Sequence, residues 1–409
     1  VSIIIYVGRD HGLQPWSLDL GTFVASQRMV GGVDSFSLLA VPFYILCGVL
    51  MNTGGIAQKL IDFAKILVGR IPGGLAQTNI LGNTLFGSLS GSSVAASVAI
   101  GGVLIPMEEK EGYDKKFAAA VNIASAPTGL IIPPSGILII YPVLAGCSVV
   151  GMIMSGYIPG LMWALACMVV AYVIAKKNHY PTAGKVPASV FFKYFVDAIP
   201  SLLLIVIIVG GVMSGIFTAT ESAAVAVAYT LFLSVVVYRS IKIKDLPKIL
   251  LDACETTAVI MFLIAGSNVM SFVMSFTGLP SAIGNALISV SSNKYVILLI
   301  INLVLLVVGC FMDITPAVLI FTPIFLPVVQ SFGMDPIHFG IMMVMNLGIG
   351  NITPPVGSAL FSGCSVADMD MEDMIKPILP FYAAIFVALM LVAYVPWFSM
   401  VLPTLFGAV

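Results

Sequence analysis

The sequence predicts an all-α polytopic membrane protein built from inverted repeats. Three observations lead to that prediction: an apolar composition, long uncharged stretches and an internal repeat. Hydrophobic residues make up 59% of the 409 residues and charged residues only 9%, against about 45–50% and about 25% in soluble globular proteins. So few charges cannot cover the surface of a soluble chain of this length. Most of the chain is therefore predicted to lie in lipid.

The charged residues are clustered, and the gaps between them are long enough to span a bilayer, which takes about 20 apolar residues. No Asp, Glu, Lys or Arg occurs between Arg70 and Glu108, Lys116 and Lys176, Asp197 and Glu221, Glu255 and Lys294, or after Lys376. The predicted spans are 34–52, 117–145, 148–175, 196–217, 222–238, 251–276, 337–366 and 378–402.

Two further uncharged segments, 73–107 and 295–331, are interrupted at their centres by small polar residues, 88–93 in one and 313–316 in the other. This pattern predicts two re-entrant helical hairpins, each entering and leaving on one side of the membrane. A moderately amphipathic stretch precedes each hairpin. Residues 56–70 and 279–295 are predicted to be arms along the membrane surface.

The distribution of basic residues supports this layout, because cytoplasmic loops are rich in Lys and Arg. With both hairpins re-entrant, Arg9, Arg28 and Lys294 lie on one face and fifteen basic residues on the other, which is predicted to be cytoplasmic. Those fifteen are Lys59, Lys65, Arg70, Lys110, Lys115, Lys116, Lys176, Lys177, Lys185, Lys193, Arg239, Lys242, Lys244, Lys248 and Lys376.

The internal repeat relates the two hairpins and two of the spans. Residues 87–95 align with 309–317 at an offset of 222, and 131–134 align with 352–355 at an offset of 221. In the predicted topology the first hairpin enters from the cytoplasm and the second from outside, so the repeats are inverted. Inverted repeats with helices broken near mid-membrane are typical of secondary transporters.

Paired prolines predict that the spans 117–145 and 337–366 are broken helices. A proline inside a helix costs about 3 kcal/mol, and residues 133–134 and 354–355 each place two in succession. Unwound backbone at membrane depth occurs where it lines protein or a wet cavity. A purely structural kink is the alternative. Recurrence in both halves favours a functional break.

The hairpin tips carry groups that suit ions. A half-helix that begins in mid-membrane has free N–H groups that attract anions, and one that ends there has free carbonyls that suit Na⁺. Hydroxyl or carboxylate oxygens from Ser88, Ser90, Ser92 and Ser93, or from Asp313 and Thr315, would complete a cation site. The alternative is helix capping, with Thr315 as the cap and Pro316 as the first helical residue. The two roles are compatible.

Two acidic residues invite functional hypotheses. Asp313 is the one acidic residue between Glu255 and Asp335, and an ionisable group at that depth is expected to ligate a cation or carry a proton. Glu221 follows Thr218 by three residues at the start of a span, which is typical of a capping box.

Other classes of protein are excluded or disfavoured. A net charge of −1 and a pI of about 6.3 leave no basic face for nucleic acid. The six cysteines lie in or beside apolar runs without a CxxC pair, and are interpreted as packing residues. Residues 88–91 are similar to the nucleophile turn of intramembrane serine proteases, but none of the three histidines lies at mid-membrane in the predicted topology to act as base. Asp313 likewise has no second aspartate, so no enzyme is predicted.

Taken together and in order, these motifs resemble one family, the large membrane subunit (DctM-like or SiaM-like) of TRAP transporters, the tripartite ATP-independent periplasmic transporters. The resemblance extends over nearly the whole chain. One departure is Thr218-Ala-Thr-Glu-Ser222 in place of the usual Thr-Pro-Thr-Glu-Ala. The matching segments are 34–43 (from Asp34-Ser-Phe36 through Pro42-Phe43), 87–95, 131–135, 215–218, 312–316 and 353–357.

The resemblance implies an elevator-type mechanism, in which a domain holding both hairpins and both broken helices slides across a scaffold with substrate and Na⁺. It implies two partners, a small four-helix membrane subunit and a soluble periplasmic substrate-binding protein, besides the membrane lipids of the bacterial inner membrane. Family substrates are mostly organic acids, including C4-dicarboxylates and sialic acid. The runs 348–351 and 363–365 favour the sialic-acid branch. The alternatives are a stand-alone sodium/anion symporter of a related elevator family and an ion channel.

Two or more Na⁺ per cycle and a carboxylate substrate are expected. Ser90, Ser92 and carbonyls near Gly129 are predicted to hold one Na⁺, and Asp313, Thr315 and carbonyls near Gly350 and Thr353 another. The substrate carboxylate is predicted to lie near Ser88, Gly91, Pro133, Asn351 and Pro354.

The resemblance also divides the chain. Because Val1 is not methionine and the first apolar run is too short to span, a preceding first helix is expected to be missing or shortened. The predicted segments are 1–72 (N-terminal scaffold helices and first arm), 73–145 (first transport repeat), 146–294 (scaffold helices and second arm), 295–366 (second transport repeat) and 367–409 (C-terminal helix).

Overall fold

A computed structural model describes residues 18–182, 188–291 and 293–408, and within those ranges the chain is helical with no β-strand. Seven described helices are long and apolar enough to cross a membrane, so the predicted fold class, an all-α polytopic membrane protein, is confirmed. The predicted sidedness of Arg9 and Lys185, and the expectation for residues 1–7, fall outside the described ranges.

The helices are numbered here in chain order. The first ten are α1 (Leu18–Val33), α2 (Ala40–Thr53, preceded by a 3-10 turn Phe36–Leu39), α3 (Ile56–Val68), α4 (Gly74–Ser90), α5 (Ser93–Lys110), α6 (Lys115–Ser125), α7 (Thr128–Ile131), α8 (Ile137–Ala145), α9 (Val149–Ser155) and α10 (Tyr157–Lys177). The others are α11 (Ala188–Met213), α12 (Ala219–Phe232), α13 (Leu246–Phe276), α14 (Leu279–Val290), α15 (Lys294–Phe311), α16 (Ile314–Gln330), α17 (Pro336–Gly350), α18 (Ser358–Val366), α19 (Met371–Tyr394) and α20 (Trp397–Leu405).

Each of the two segments predicted as a hairpin is a pair of helices joined by a very short turn, and their re-entrant course in the membrane stays a prediction. We call α4 and α5 hairpin 1 and α15 and α16 hairpin 2. In hairpin 1, Gly91 ends α4 with a φ of 63°, a left-handed conformation that favours glycine. In hairpin 2 only Met312 and Asp313 separate the helices. Helices α3 and α14 occupy the segments predicted as arms, and their position along the membrane surface stays a prediction.

Both predicted broken helices are also present. The chain leaves helical geometry between α7 and α8 and again between α17 and α18, and each break contains a cis Pro–Pro peptide bond, Pro133–Pro134 and Pro354–Pro355. The break after α17 is closed by backbone hydrogen bonds such as that from Val356 N to Cys310 O at 3.0 Å. Hairpin 2 therefore satisfies part of the backbone that the break exposes.

Each hairpin contacts a broken helix through a pair of glycines. A Cβ atom on Gly129 would lie 2.5 Å from Gly87 Cα, and one on Gly350 would lie 2.5 Å from Gly309 Cα. No larger residue fits at so short a backbone separation. The two glycine pairs are related by offsets of 222 and 221 residues, the offsets of the sequence repeat. The packing of hairpin on broken helix thus recurs in the two halves.

Three details differ from the sequence-based expectations. The helix α1 was not predicted, because its apolar residues are mixed with glycines and charges; Arg28 on it lies over the Phe272 ring of α13 at 4.5 Å. The single span predicted at 378–402 is two helices, since the chain is extended at Val395 before Pro396 and α20. The residue that caps α16 is Asp313 rather than Thr315, so Pro316 is its third residue.

One smaller expectation is confirmed in full and another in part. Thr218 and Glu221 form the capping box of α12, with the Thr218 N–H donating to Glu221 Oε2 at 2.8 Å. Of the six cysteines interpreted as packing residues, Cys47, Cys167 and Cys364 are buried as expected, whereas Cys254 is exposed.

We expect Gly129→Ala to lower the stability of the protein by about 1–3 kcal/mol or more, because the added methyl group overlaps backbone that cannot move aside. The measurement is thermal unfolding of the purified protein in detergent. Gly102→Ala is the matched control: the nearest atom to its Cβ lies 3.9 Å away, and alanine is favoured over glycine inside a helix by about 0.5–1 kcal/mol. Equal losses in the two variants would contradict the packing argument.

Candidate substrate and cation site

Both hairpin tips open into one cavity of about 480 Å³. Its walls also include residues of both breaks and the faces of α2 and α13. A cavity of this volume is in the range of small-molecule sites. The polar residues that line it are Asn52, Thr53, Ser90, Ser92, Ser93, Asp252, Thr256, Asp313, Thr315 and Asn351, together with Tyr44 and the glycines 48, 91 and 136.

The tip of hairpin 1 combines one capping hydroxyl and one free hydroxyl. Ser92 caps α5, its Oγ accepting a hydrogen bond from Ala95 N at 3.2 Å. The Ser90 Oγ is buried and has no hydrogen-bond partner among the described residues. A buried hydroxyl without a partner is uncommon, so Ser90 is a candidate ligand for an ion.

The break of the first half supplies a second free hydroxyl beside this tip. A Cβ atom on Gly91 would lie 3.3 Å from both Pro134 O and Ser135 Cα, so the tip rests on the break. Like Ser90, Ser135 has a buried Oγ without a partner in the described part of the chain. Hard cations bind to oxygen atoms of this kind. The sequence analysis did not select Ser135, although it directly follows the paired prolines.

The tip of hairpin 2 presents a carboxylate. Asp313 occupies the cap position of α16, but its side chain makes no capping hydrogen bond to that helix. Instead Oδ1 lies 3.1 Å from the Ser358 hydroxyl at the start of α18. Thr315 is half-buried in the first turn of α16 and lines the cavity. The carboxylate is therefore directed at the second break, where the sequence predicted a cation.

A chain of polar contacts connects the two halves through Asn351. Its Nδ2 donates to Ser93 Oγ of hairpin 1 at 2.6 Å. Its Oδ1 accepts from the Ser358 hydroxyl, which also contacts Asp313. Because Asn351 is only 4% exposed, this link is held inside the protein. It brings the tip of hairpin 1, the second break and the tip of hairpin 2 into one polar site.

The predicted site residues divide into two groups. Six of them line the cavity: Ser90, Gly91, Ser92, Asp313, Thr315 and Asn351. The other six lie behind its surface: Gly129 and Gly350 are the glycines against the hairpins, Ser88 donates to Leu85 O and Thr353 to Ile349 O, and Pro133 and Pro354 form the two breaks.

The electrostatic character of the cavity is acidic. Asp252 and Asp313 line it, and no Lys or Arg is among its described lining residues. An anion in this cavity would have to be held by hydroxyl and N–H groups, including those at the starts of α5 and α16, or by a bound cation. The sequence analysis missed Asp252 and Thr256, whose i, i+4 spacing on the span 251–276 was the available signal.

Two hairpins and two broken helices around a polar cavity define the class of protein as a secondary transporter-like membrane protein. The family model for the tripartite ATP-independent periplasmic transporter, DctM component, matches residues 2–398. The chain belongs to this family.

Three relatives are similar to this chain over most of their length. YgiK of Salmonella typhimurium, described only as an uncharacterised protein, is 51% identical over 95% of this chain and 89% of its own. The sialic acid TRAP transporter large permease SiaM of Vibrio cholerae is 40% identical over 94% and 90%. The C4-dicarboxylate TRAP transporter large permease DctM of Pseudomonas aeruginosa is 39% identical over 91% and 88%. SiaM and DctM are both described as large permease proteins.

A solved structure shares the fold. The YdaH transporter of Alcanivorax borkumensis superposes with a TM-score of 0.68 over 93% of this chain and 89% of its own, at 15% identity. The likeness concerns the fold alone. With the family and the seven apolar helices, this chain is a multi-pass protein of the bacterial inner membrane.

We expect Asn351→Ala to destabilise the protein by about 1–3 kcal/mol, because it leaves the buried Ser93 hydroxyl without its donor. Thermal unfolding in detergent measures the loss. Asn52→Ala is the control, since Asn52 also lines the cavity but is exposed. A loss no larger than that of the control would mean that Asn351 does not hold the halves together.

Proposed function

We propose that this protein is the large membrane subunit of a TRAP transporter that couples inward Na⁺ movement to uptake of an organic acid. The observation that carries the proposal is the cavity where both hairpin tips meet a break, with free hydroxyls at one tip and a carboxylate at the other. The family membership supplies the class of transport. The coupling ion and the substrate are inferred from the chemistry of the lining groups.

The first Na⁺ binds at hairpin 1. Its ligands are Ser90 Oγ, carbonyls near Gly129, and Ser92, with Ser135 Oγ as a further ligand. The free hydroxyls of Ser90 and Ser135 support this assignment, because a cation would satisfy both without displacing an existing hydrogen bond.

The second Na⁺ binds at hairpin 2. Asp313 supplies a charged oxygen, and Thr315 with the carbonyls near Gly350 and Thr353 supplies neutral ones. The direction of Asp313 toward Ser358, rather than to its own helix, supports a role at the break. Carbonyls that already accept one hydrogen bond retain a second lone pair for a cation.

The substrate is a carboxylate held between the tips, near Gly91 and Asn351. Bound Na⁺ and the starts of α5 and α16 offset its charge, since the cavity supplies no cationic side chain of its own. Substrate and Na⁺ therefore favour each other's binding, which is what a symporter requires.

We favour sialic acid, a monocarboxylate that carries many hydroxyls, over C4-dicarboxylates. The identities to the SiaM and DctM relatives, 40% and 39%, do not separate the two. The cavity does give a physical reason: Asp252 on α13 would repel a second carboxylate, whereas with Thr256 and Asn52 it offers hydrogen bonds to hydroxyls.

Transport proceeds by an elevator movement of hairpins and broken helices against α2 and its neighbours. A Cβ atom on Gly48 of α2 would lie 2.9 Å from Ser90 O, so α2 contacts the tip of hairpin 1 directly and would be the surface against which the tip moves. A small membrane subunit enlarges the scaffold and a periplasmic protein delivers the acid. The alternative, a stand-alone sodium/anion symporter, needs neither partner.

The experiment is uptake of radiolabelled sialic acid into proteoliposomes that contain this protein and the small membrane subunit, with an inward Na⁺ gradient. Uptake is expected only when the purified binding protein is added. Asp313→Asn is expected to raise the Na⁺ concentration for half-maximal uptake by about tenfold, equivalent to about 1.4 kcal/mol, because it removes a charged ligand.

Glu255→Gln serves as the control for the ion, because Glu255 is an acidic residue of α13 that does not line the cavity. Its Na⁺ dependence is expected to match that of the unmodified protein. Unchanged Na⁺ dependence in Asp313→Asn would remove the second ion site from the proposal. Uptake without the binding protein would favour the stand-alone symporter.

Substrate choice is tested with the variant Asp252→Asn. Removal of this negative charge is expected to increase competition by succinate against sialic acid uptake several-fold, because the second carboxylate is no longer repelled. The measurement is the succinate concentration that halves uptake, with Glu255→Gln, on the same helix but not lining the cavity, as control. Equal inhibition in all three proteins would contradict the role of Asp252.

A further inference from the structure

A buried acid lies at the base of hairpin 1, away from the cavity. Glu108 belongs to the last turn of α5, beyond the apolar part of the hairpin, and is 0% exposed. The three residues that follow it, 109–111, are all exposed. The carboxyl group is thus fully buried within a few residues of water, a position that the proposed transport site does not use.

The carboxyl group has too few hydrogen bonds for an ionised state. Asn79 Nδ2 lies 3.4 Å from Oε2. This distance is longer than that of a usual N–H···O hydrogen bond, which runs from about 2.7 to about 3.2 Å. Oε1 is buried and has no partner among the described residues. An ionised carboxylate normally accepts several strong hydrogen bonds when it is buried.

Within the part of the chain that the structure describes, no Lys, Arg or His forms an ion pair with Glu108. The titratable groups around Glu108 are Glu111 and Tyr113 in the following turn, and neither is cationic. Lys115, at the start of α6, is paired with Glu109 at 3.8 Å. Burial, and less strongly the nearby Glu111, raises the pKa of Glu108 well above its usual range.

The donor to Glu108, Asn79, belongs to a buried chain of amides that extends into the hairpin. Asn79 Oδ1 accepts a hydrogen bond from Asn83 Nδ2 at 2.8 Å. Asn83 in turn contacts Asn122 Oδ1 and Ser125 Oγ, both at 3.0 Å. Ser125 is the last residue of α6, just before the first break. A continuous chain of polar contacts therefore connects the base of hairpin 1 to the broken helix.

We propose that Glu108 is a proton-binding site of hairpin 1. The proton resides on Oε1, and Oε2 accepts from Asn79. The neutral acid completes the packed base of the hairpin. When α4 and α5 separate at their base and water reaches the carboxyl group, the O–H bond breaks, the proton passes to water and the carboxylate is hydrated.

This site is independent of the proposed Na⁺-coupled uptake, and its primary test needs no transport. The measurement is infrared difference spectroscopy of the full chain in detergent near pH 7, which detects the carbonyl stretch of a protonated carboxyl group. That band is expected in the unmodified protein, absent in Glu108→Gln and retained in Glu109→Gln. A band of equal intensity in the unmodified protein and in Glu108→Gln would overturn the proposal.

Glutamine has nearly the shape of the protonated acid, so Glu108→Gln is expected to fold. A second variant avoids any change at residue 108: Asn79→Ala removes the one donor to Oε2 among the described residues, and the protonated band is then expected to persist to a higher pH than in the unmodified protein. Persistence to the same or a lower pH would contradict the assignment of the band to Glu108.

The pH dependence of thermal unfolding gives an independent readout. A carboxyl group whose pKa is higher in the folded than in the unfolded protein contributes stability at low pH, and that contribution is lost as the pH rises from the unfolded pKa through the folded one. The unfolding temperature should therefore fall over this window in the unmodified protein and in Glu109→Gln. It should fall less in Glu108→Gln; parallel curves for all three proteins would overturn the proposal.

Discussion

Close backbone contact between a hairpin and a broken helix is the constraint on which the site depends. It occurs twice, at Gly87 with Gly129 and at Gly309 with Gly350. A side chain at any of these positions would separate the tip from the break, and the polar groups of the unwound backbone would then lose their neighbours. The contacts also explain why both tips reach one cavity, since each glycine pair fixes the depth at which a hairpin ends.

The cavity obtains its polarity with very little charge. Two aspartates line it, and hydroxyls, amides and helix ends supply the other polar groups. Neutral groups cost less to bury in an apolar protein than charged ones. Asn351 shows the consequence: one amide joins Ser93 of hairpin 1 to Ser358 beside Asp313. The two halves of the chain are thereby linked where ions and substrate are proposed to bind.

Local patterns predicted the helices, arms, hairpins and breaks, because glycine, proline and charge act on the segment that contains them. The same patterns failed where a neighbour decided the outcome. The helix α1 is stabilised partly by Arg28 over Phe272, a contact made 244 positions away along the chain. The cap of α16 is Asp313, whose side chain is directed to Ser358 on another helix, so a local capping rule chose Thr315 wrongly.

Composition, charge spacing and the positions of glycine and proline were enough to predict a helical membrane protein with two hairpins and two broken helices, and to select six residues that line the cavity. The folded chain was needed to show that Asp252 and Thr256 face the same space, and that the Ser90 and Ser135 hydroxyls have no partners among the described residues. Periodicity and composition describe one segment at a time. A shared cavity, or a missing hydrogen bond, is a relation between segments that only folding brings together.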